Sequence, residues 1–224
     1  MKIAGFVKNS FVDYPNNICS VVFTFGCPLS CYYCHNKHLL DVNSFVDESV
    51  VFDYISKRKN LVDAVTISGG EPTIQPDLKD FIKKIKKTGL KVKLDTCGVN
   101  PDIVKDLIDS KLIDYLAMDL KCSLEQYKNI CNVNVDISKI KQTISIIKES
   151  GLDYEFRTTL VPEIDDINFQ KMMKLISGAK NFYIQKCNCD KFDQNTVKKL
   201  AANAEKYLKL AKANIIHASL RGFD

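Results

Sequence analysis

Short apolar runs alternate with longer amphipathic segments along the chain, and the alternation predicts strands and helices in turn. Ile18 to Phe25 is an almost unbroken apolar run and reads as a buried strand. A helix follows from Glu48 to Lys57, with Asp47 as N-cap and Val51, Tyr54 and Ile55 at helical spacing. Strand runs recur at Ala64–Ser68, Lys91–Asp95, Tyr115–Asp119, Tyr154–Val161 and Asn181–Gln185. Helical stripes lie between them. The first, starting near Pro76, is Leu78, Phe81, Ile82 and Ile85, and Gly89 stops it. Asn100-Pro101 opens the next, with Ile103, Val104, Leu107 and Ile108. Asp136 caps another, with Ile137, Ile140, Ile144 and Ile147, stopped by Gly151. Phe169, Met172, Met173 and Ile176 then form a stripe that reads as core.

The chain ends in a long helix with Val197, Leu200, Ala201, Ala204, Leu208 and Ala211 on one face, and Ile215–Leu220 reads as a closing strand. At the start, Ile3–Phe6 reads as a short edge strand before a turn at Asp13-Tyr14-Pro15-Asn16-Asn17, and Cys122 to Val135 reads as a loose polar segment.

About six strand–helix alternations imply an α/β fold with a parallel sheet and right-handed crossovers. A full eight-unit barrel needs about 250 residues. The 224 residues therefore predict a partial (β/α)6 TIM-like barrel: a lead-in over 1–17, the barrel over 18–190, and a C-terminal helix and strand over 191–224, all in one domain. Lys91, Lys93 and Asp95, and Glu155, Arg157 and Thr159, put polar side chains on alternate strand positions, as where one sheet face lines a polar interior.

Composition narrows the function classes. The net charge of +5 comes from dispersed basic residues and gives no reason to expect nucleic-acid binding. The densest basic cluster, Lys83, Lys84, Lys86 and Lys87, falls on the polar face of a helix and reads first as solvated surface, second as a dock for an acidic electron-transfer partner. No run of eighteen apolar residues exists, so no membrane span is expected. Nine cysteines, an odd number without a signal peptide, suit a reducing cytoplasm better than a disulfide scaffold.

Three of those cysteines, Cys27, Cys31 and Cys34, follow the first buried strand within eight residues. They are open to three readings: buried free thiols, a zinc site completed by Cys19, His35 or His38, or an iron–sulfur cluster. A 4Fe-4S cluster held by three cysteines leaves one iron open to a ligand. Polar residues recur at the following strand ends: Gly69-Gly70-Glu71, Asp95-Thr96, then Asp119 and Lys121. In a parallel barrel these ends converge on one face, where active sites are built. Glycine carbonyls and the Glu71 charge suit an ammonium group, so the residues point to a pocket for a zwitterionic ligand. Cys187 and Cys189 read first as spare thiols and second as a further metal site, for which no other cysteine pair is at hand.

Cys27-x3-Cys31-x2-Cys34 and Ser68-Gly69-Gly70-Glu71-Pro72 together resemble the two motifs of the radical S-adenosylmethionine (SAM) superfamily. Tyr33-Cys34-His35-Asn36, Asp95-Thr96-x-Gly98, Met118-Asp119-Leu120-Lys121 and Arg157 are similar to its glycyl-radical-enzyme activases. The segment Ser10-Phe11-Val12-Asp13-Tyr14-Pro15 and the ending Leu220-Arg221-Gly222 look most like the activating protein of anaerobic ribonucleoside-triphosphate reductase. The resemblance covers nearly the whole chain. It implies a 4Fe-4S cluster on Cys27, Cys31 and Cys34, with SAM chelating the open iron and being cleaved reductively. It implies a SAM pocket of Gly69, Gly70, Glu71, Asp95, Asp119, Lys121 and Arg157, Gly70 and Glu71 meeting the amino group and Tyr33 or His35 lying near the adenine. The implied partners are a glycyl-radical enzyme, namely anaerobic ribonucleotide reductase, and a flavodoxin- or ferredoxin-type electron donor.

Two positions depart from the pattern. Cys97 stands where related activases commonly have Asn, and Gln185-Lys186-Cys187-Asn188-Cys189 lacks the histidine that pyruvate formate-lyase activases carry near the ribose. The alternatives to an activase are a radical SAM enzyme acting on a small molecule and a non-catalytic zinc-binding adaptor.

Overall fold

The computed structural model describes residues 1–58, 60–188 and 192–223. Eight strands form one sheet in chain order: β1 Ile3–Ser10, β2 Cys19–Thr24, β3 Ala64–Gly69, β4 Lys91–Thr96, β5 Tyr115–Asp119, β6 Asp153–Leu160, β7 Asn181–Lys186 and β8 His217–Arg221. β1 runs antiparallel to β2, and every later neighbouring pair is parallel. Among the described residues β1 and β8 do not pair, so the sheet forms a barrel wall that stays open. The α/β, TIM-like expectation matches this sheet, with β1 and β8 added at its two edges.

The helices are α1 Glu48–Lys57, α2 Leu78–Lys86, α3 Pro101–Asp109, α4 Tyr127–Cys131, α5 Ile137–Glu149, α6 Asp166–Leu175 and α7 Gln194–Lys212. Asp47 and Asp136 cap as their positions suggest, each carboxylate accepting the backbone N–H two residues on, from Ser49 and Ser138. α2 begins at Leu78 rather than at Pro76. Asn100 makes no side-chain cap. Its amide donates instead to the Thr73 carbonyl at 3.2 Å and hydroxyl at 3.0 Å, fastening the start of α3 to the turn after β3. The segment expected to be loose contains α4, whose Tyr127, Ile130 and Cys131 are buried. β1 is longer than expected, reaching Ser10.

The two faces of the sheet do different work. Val65, Ile67, Val92, Leu94, Leu116, Phe156, Phe182 and Ile184 point outward into the main core under the helices. Burying each large aliphatic side chain there contributes roughly 1.5–3 kcal/mol. The opposite face carries the polar residues of the interior. Tyr14, from the turn after β1, plugs that interior from one end, its ring 5.5 Å from that of Tyr115 and packed with Cys19, Val21 and Ala64.

Three of the four lysines in the basic cluster are paired with carboxylates. Lys83 pairs with Asp80 at 3.0 Å, Lys84 with Glu48 at 2.8 Å and Lys86 with Asp114 at 2.7 Å. Among the described residues no helix is long and apolar enough to cross a membrane.

Candidate active site

A cavity of about 320 Å³ opens at the carboxyl ends of the parallel strands. Its lining includes Cys27, Cys31, Cys34, Tyr33 and His35 from the loop after β2, Gly69 and Gly70 at the end of β3, Asp95 on β4, Asp119 and Lys121 at the end of β5, and Arg157 on β6. These residues are far apart in sequence. They meet because parallel strands deliver every following loop to one end of the wall. Glu71 is absent from the lining.

The glycine pair is demanded by the backbone. Gly69 has φ +111°, and a Cβ there would lie 2.4 Å from the Thr24 nitrogen. The Glu71 N–H donates to the Gly26 carbonyl at 2.8 Å, and the Gly70 N–H to the Thr24 carbonyl at 2.9 Å. The Asn36 amide donates to the Gly69 carbonyl at 3.0 Å. The Gly-Gly turn thus clasps both ends of the cysteine loop.

Glu71 differs from expectation. It is wholly buried. One carboxylate oxygen accepts from the Thr73 N–H at 3.1 Å, the Thr73 hydroxyl at 2.5 Å and the Thr96 hydroxyl at 2.7 Å. The other accepts from the Cys97 N–H at 2.6 Å. The carboxylate joins the turn after β3 to the turn after β4, and it is the protein's own donors that compensate the burial of its charge.

A chain of alternating charges crosses the interior. Lys93 Nζ meets Asp95 at 2.6 Å, Arg157 bridges Asp95 at 3.2 Å and Asp119 at 2.8 Å, and Lys121 meets Asp119 at 3.1 Å. Ser68 also donates to Asp95 at 3.0 Å. Behind it, Arg221 grips Glu155 with two 2.8 Å bonds and lies over the Tyr183 ring. Burial alone would raise the Asp119 carboxyl, but Arg157 and then Lys121 outweigh it and hold the group well below the usual carboxylate range. Asp95 is depressed too, burial being outweighed by Arg157 and Lys93. Sequence reasoning found Asp95, Asp119, Lys121 and Arg157. It read Lys93 only as part of a polar interior and missed that Arg221 grips Glu155.

The cysteine loop is chemically prepared. Cys27, Cys31 and Cys34 are free and partly accessible. A hydrogen bond from the Cys97 side chain lowers the Cys27 thiol, against the effect of burial. One from the Cys131 side chain brings Cys31 down to about 6. Burial leaves Cys34 raised. The Tyr33 hydroxyl is buried and, among the described residues, has no hydrogen-bond partner. His35 accepts from the Asn188 N–H at 3.1 Å, tying the loop to the end of β7. Cys187 is buried, and Cys189 lies outside the described residues.

Among the described residues, no three His, Cys, Asp or Glu side chains come together so that one metal ion takes them all. A four-iron cluster offers each cysteine its own iron and does not need them to. The soft donor set, the adjoining cavity and the orphaned Tyr33 hydroxyl in its wall all fit a cluster with a ligand beside it. Chemically, the arrangement offers a redox centre next to a pocket of both charges.

Residues 21–176 match the model of the radical SAM superfamily. A protein of Methanocaldococcus jannaschii that carries the name glycyl-radical enzyme activating enzyme is 34% identical, the match covering 98% of this chain and 95% of that one. The pyruvate formate-lyase-activating enzyme of Clostridium pasteurianum is 27% identical over 80% of this chain and 78% of its own. Among solved structures, Streptococcus suis SuiB bound to the precursor peptide SuiA superposes with a TM-score of 0.64 at 16% identity, covering 88% of this chain and 47% of that one, a likeness of fold. A cysteine triad at the mouth of an open parallel barrel and a match along nearly the whole length agree: the chain belongs to the radical SAM superfamily, in its group of glycyl-radical-enzyme activating enzymes.

Proposed function

We propose that this chain generates a glycyl radical on a partner enzyme, anaerobic ribonucleoside-triphosphate reductase. The observation that carries the reading is the convergence of three free cysteines, the Gly69-Gly70 turn and the Asp95–Arg157–Asp119–Lys121 charge chain on one cavity. Cys27, Cys31 and Cys34 would hold a 4Fe-4S cluster. When bound, the cluster and SAM supply a one-electron cleavage and the hydrogen-abstracting radical it releases. The balance is one electron, one SAM and one glycine Cα–H consumed, with methionine, 5′-deoxyadenosine and a glycyl radical formed.

The residues of this chain position and shield. The glycine turn offers backbone groups at the amino end of SAM. Lys121 and Arg157 present cations, and Asp95 and Asp119 anions, already held in place by one another. Preorganised charges of both signs suit a zwitterion without rearrangement. Tyr33 and His35 supply ring surface beside the cysteines, where an adenine stacks. Glu71 belongs to the scaffold that holds Cys97 and the glycine turn, not to the ligand. The electron enters from a flavodoxin- or ferredoxin-type donor.

The test is anaerobic. Protein reconstituted with iron and sulfide is reduced, given SAM, and mixed with the candidate reductase. The expected result is 5′-deoxyadenosine together with a glycyl-radical doublet in the electron paramagnetic resonance (EPR) spectrum. SAM cleavage with no doublet on the reductase, but with consumption of a free metabolite, overturns the activase reading.

A further inference from the structure

Glu155 is a wholly buried charge that does not line the cysteine cavity. It stands on β6 two residues before Arg157, so both side chains leave the same face of the wall. Arg221, at the end of β8, reaches back across β7 to it. Its guanidinium lies 3.4 Å above the centre of the Tyr183 ring and gives each Glu155 carboxylate oxygen one bond of 2.8 Å. The Tyr115 hydroxyl donates a third bond from β5 at 3.0 Å. Among the described residues, the one other cation within ion-pair reach of Glu155 is Arg157, at 3.9 Å. Arg157 is held the other way, by Asp119 at 2.8 Å and Asp95 at 3.2 Å. It also lines two cavities: that of the cysteines, and a second of about 180 Å³ beside it, which Glu155 and Arg221 line too. Its side chain therefore has open space towards Glu155 as well as towards the cysteines.

We propose that Arg221 is a positioning residue for the SAM pocket: by taking up the Glu155 charge it leaves Arg157 turned towards Asp95, Asp119 and the ligand. The inference rests on the reading of the cysteine cavity as a SAM site. A buried carboxylate without a compensating cation is strongly destabilising. The forked guanidinium compensates it with two parallel bonds, a geometry that a lysine ammonium does not reproduce. Without Arg221, Glu155 has one cation left in reach. A turn of Arg157 into the second cavity brings the two together, at the expense of the longer of its present bonds, the one to Asp95. The order of charges in the pocket then changes, although Arg221 and Glu155 both lie outside the lining of the cysteine cavity.

The experiment is equilibrium dialysis of labelled SAM against the reconstituted full chain, its cluster left oxidised so that no SAM is cleaved, with the melting temperature of each variant measured alongside. Arg221→Ala should weaken SAM binding roughly tenfold, the scale of one charge-assisted hydrogen bond. Arg221→Lys keeps a cation and should fall between Ala and wild type. Glu155→Gln should bind SAM as wild type does. The double variant, Glu155→Gln with Arg221→Ala, decides between positioning and plain support. It leaves Arg157 no charge to turn to, so SAM affinity should return towards wild type while the melting temperature stays as low as in Arg221→Ala. If Arg221→Ala does not fold, Arg221→Lys alone and combined with Glu155→Gln makes the same comparison. A double variant that binds SAM as weakly as the single Arg221 variant overturns the inference, since Arg221 would then act by fastening β8. Arg221 variants with wild-type affinity overturn it too, as does weakened binding by Glu155→Gln alone, which would make Glu155 a holder of Arg157. Wild type that loads a cluster and takes up no SAM is a different failure: it removes the SAM reading, and this inference with it.

Discussion

Gly70 and Gly26 meet so closely that a Cβ on Gly70 would lie 1.9 Å from the Gly26 carbonyl oxygen. That carbonyl also accepts the Glu71 N–H. The glycine of the turn after β3 is thus required by its contact with the residue just before Cys27. Gly70→Ala must push the cysteine loop outward, an overpacking cost of roughly 1–3 kcal/mol. Gly89→Ala is the control: its φ of +86° is strained but its Cβ meets nothing within 4 Å. It should cost about 1 kcal/mol and leave the loop alone. Iron retained after anaerobic reconstitution should fall for Gly70→Ala and stay at the wild-type level for Gly89→Ala.

Glu71→Ala should act first on stability. It strands the Thr73 and Cys97 N–H groups and the Thr96 hydroxyl in a buried site. Each unsatisfied donor costs about 1–3 kcal/mol. The denaturation midpoint of the cluster-free protein should drop well below wild type. If stability is unchanged while SAM affinity falls, Glu71 is a ligand residue after all.

The ion chain sets an acid limit. Asp119 is held below the unfolded carboxylate pKa of about 3.9, so its pairing contributes stability in full above that value. The contribution is lost as pH falls through the folded pKa, because the unfolded chain then binds the proton first. Asp119→Asn should cost roughly 2 kcal/mol at neutral pH. The gap from wild type should hold constant above about pH 5 and narrow below about pH 4. Urea unfolding across that range is the measurement, and a gap that widens on acidification contradicts the pairing.

Cys31→Ala removes the thiol brought furthest towards thiolate character. It should abolish cluster assembly, seen as loss of the visible absorbance and of bound iron, and with it SAM cleavage. The fold should remain, because the side chain is partly exposed and the loop is also held by the Ser30–Cys131 backbone bond. A circular dichroism spectrum close to wild type checks this.

Much of this architecture follows from local pattern. The strand–helix alternation, the caps at Asp47 and Asp136 and the gathering of polar residues at strand ends depend on neighbours in sequence and on the parallel topology they imply. What the sequence could not decide are partners chosen across long separations. Glu71 looked like a free charge because its donors, Thr96 and Cys97, lie at the end of the next strand. Cys131 looked like part of a loose segment because α4 is short, and its side chain is placed by packing, not by helical period. Lys93 became a buried cation, and Arg221 a half-buried one, only once the wall curved and set Asp95 and Glu155 against them. Periodicity reports which face a residue takes. Only the tertiary structure decides which distant group that face meets, because burial forces every charge and N–H to find a partner wherever the fold supplies one.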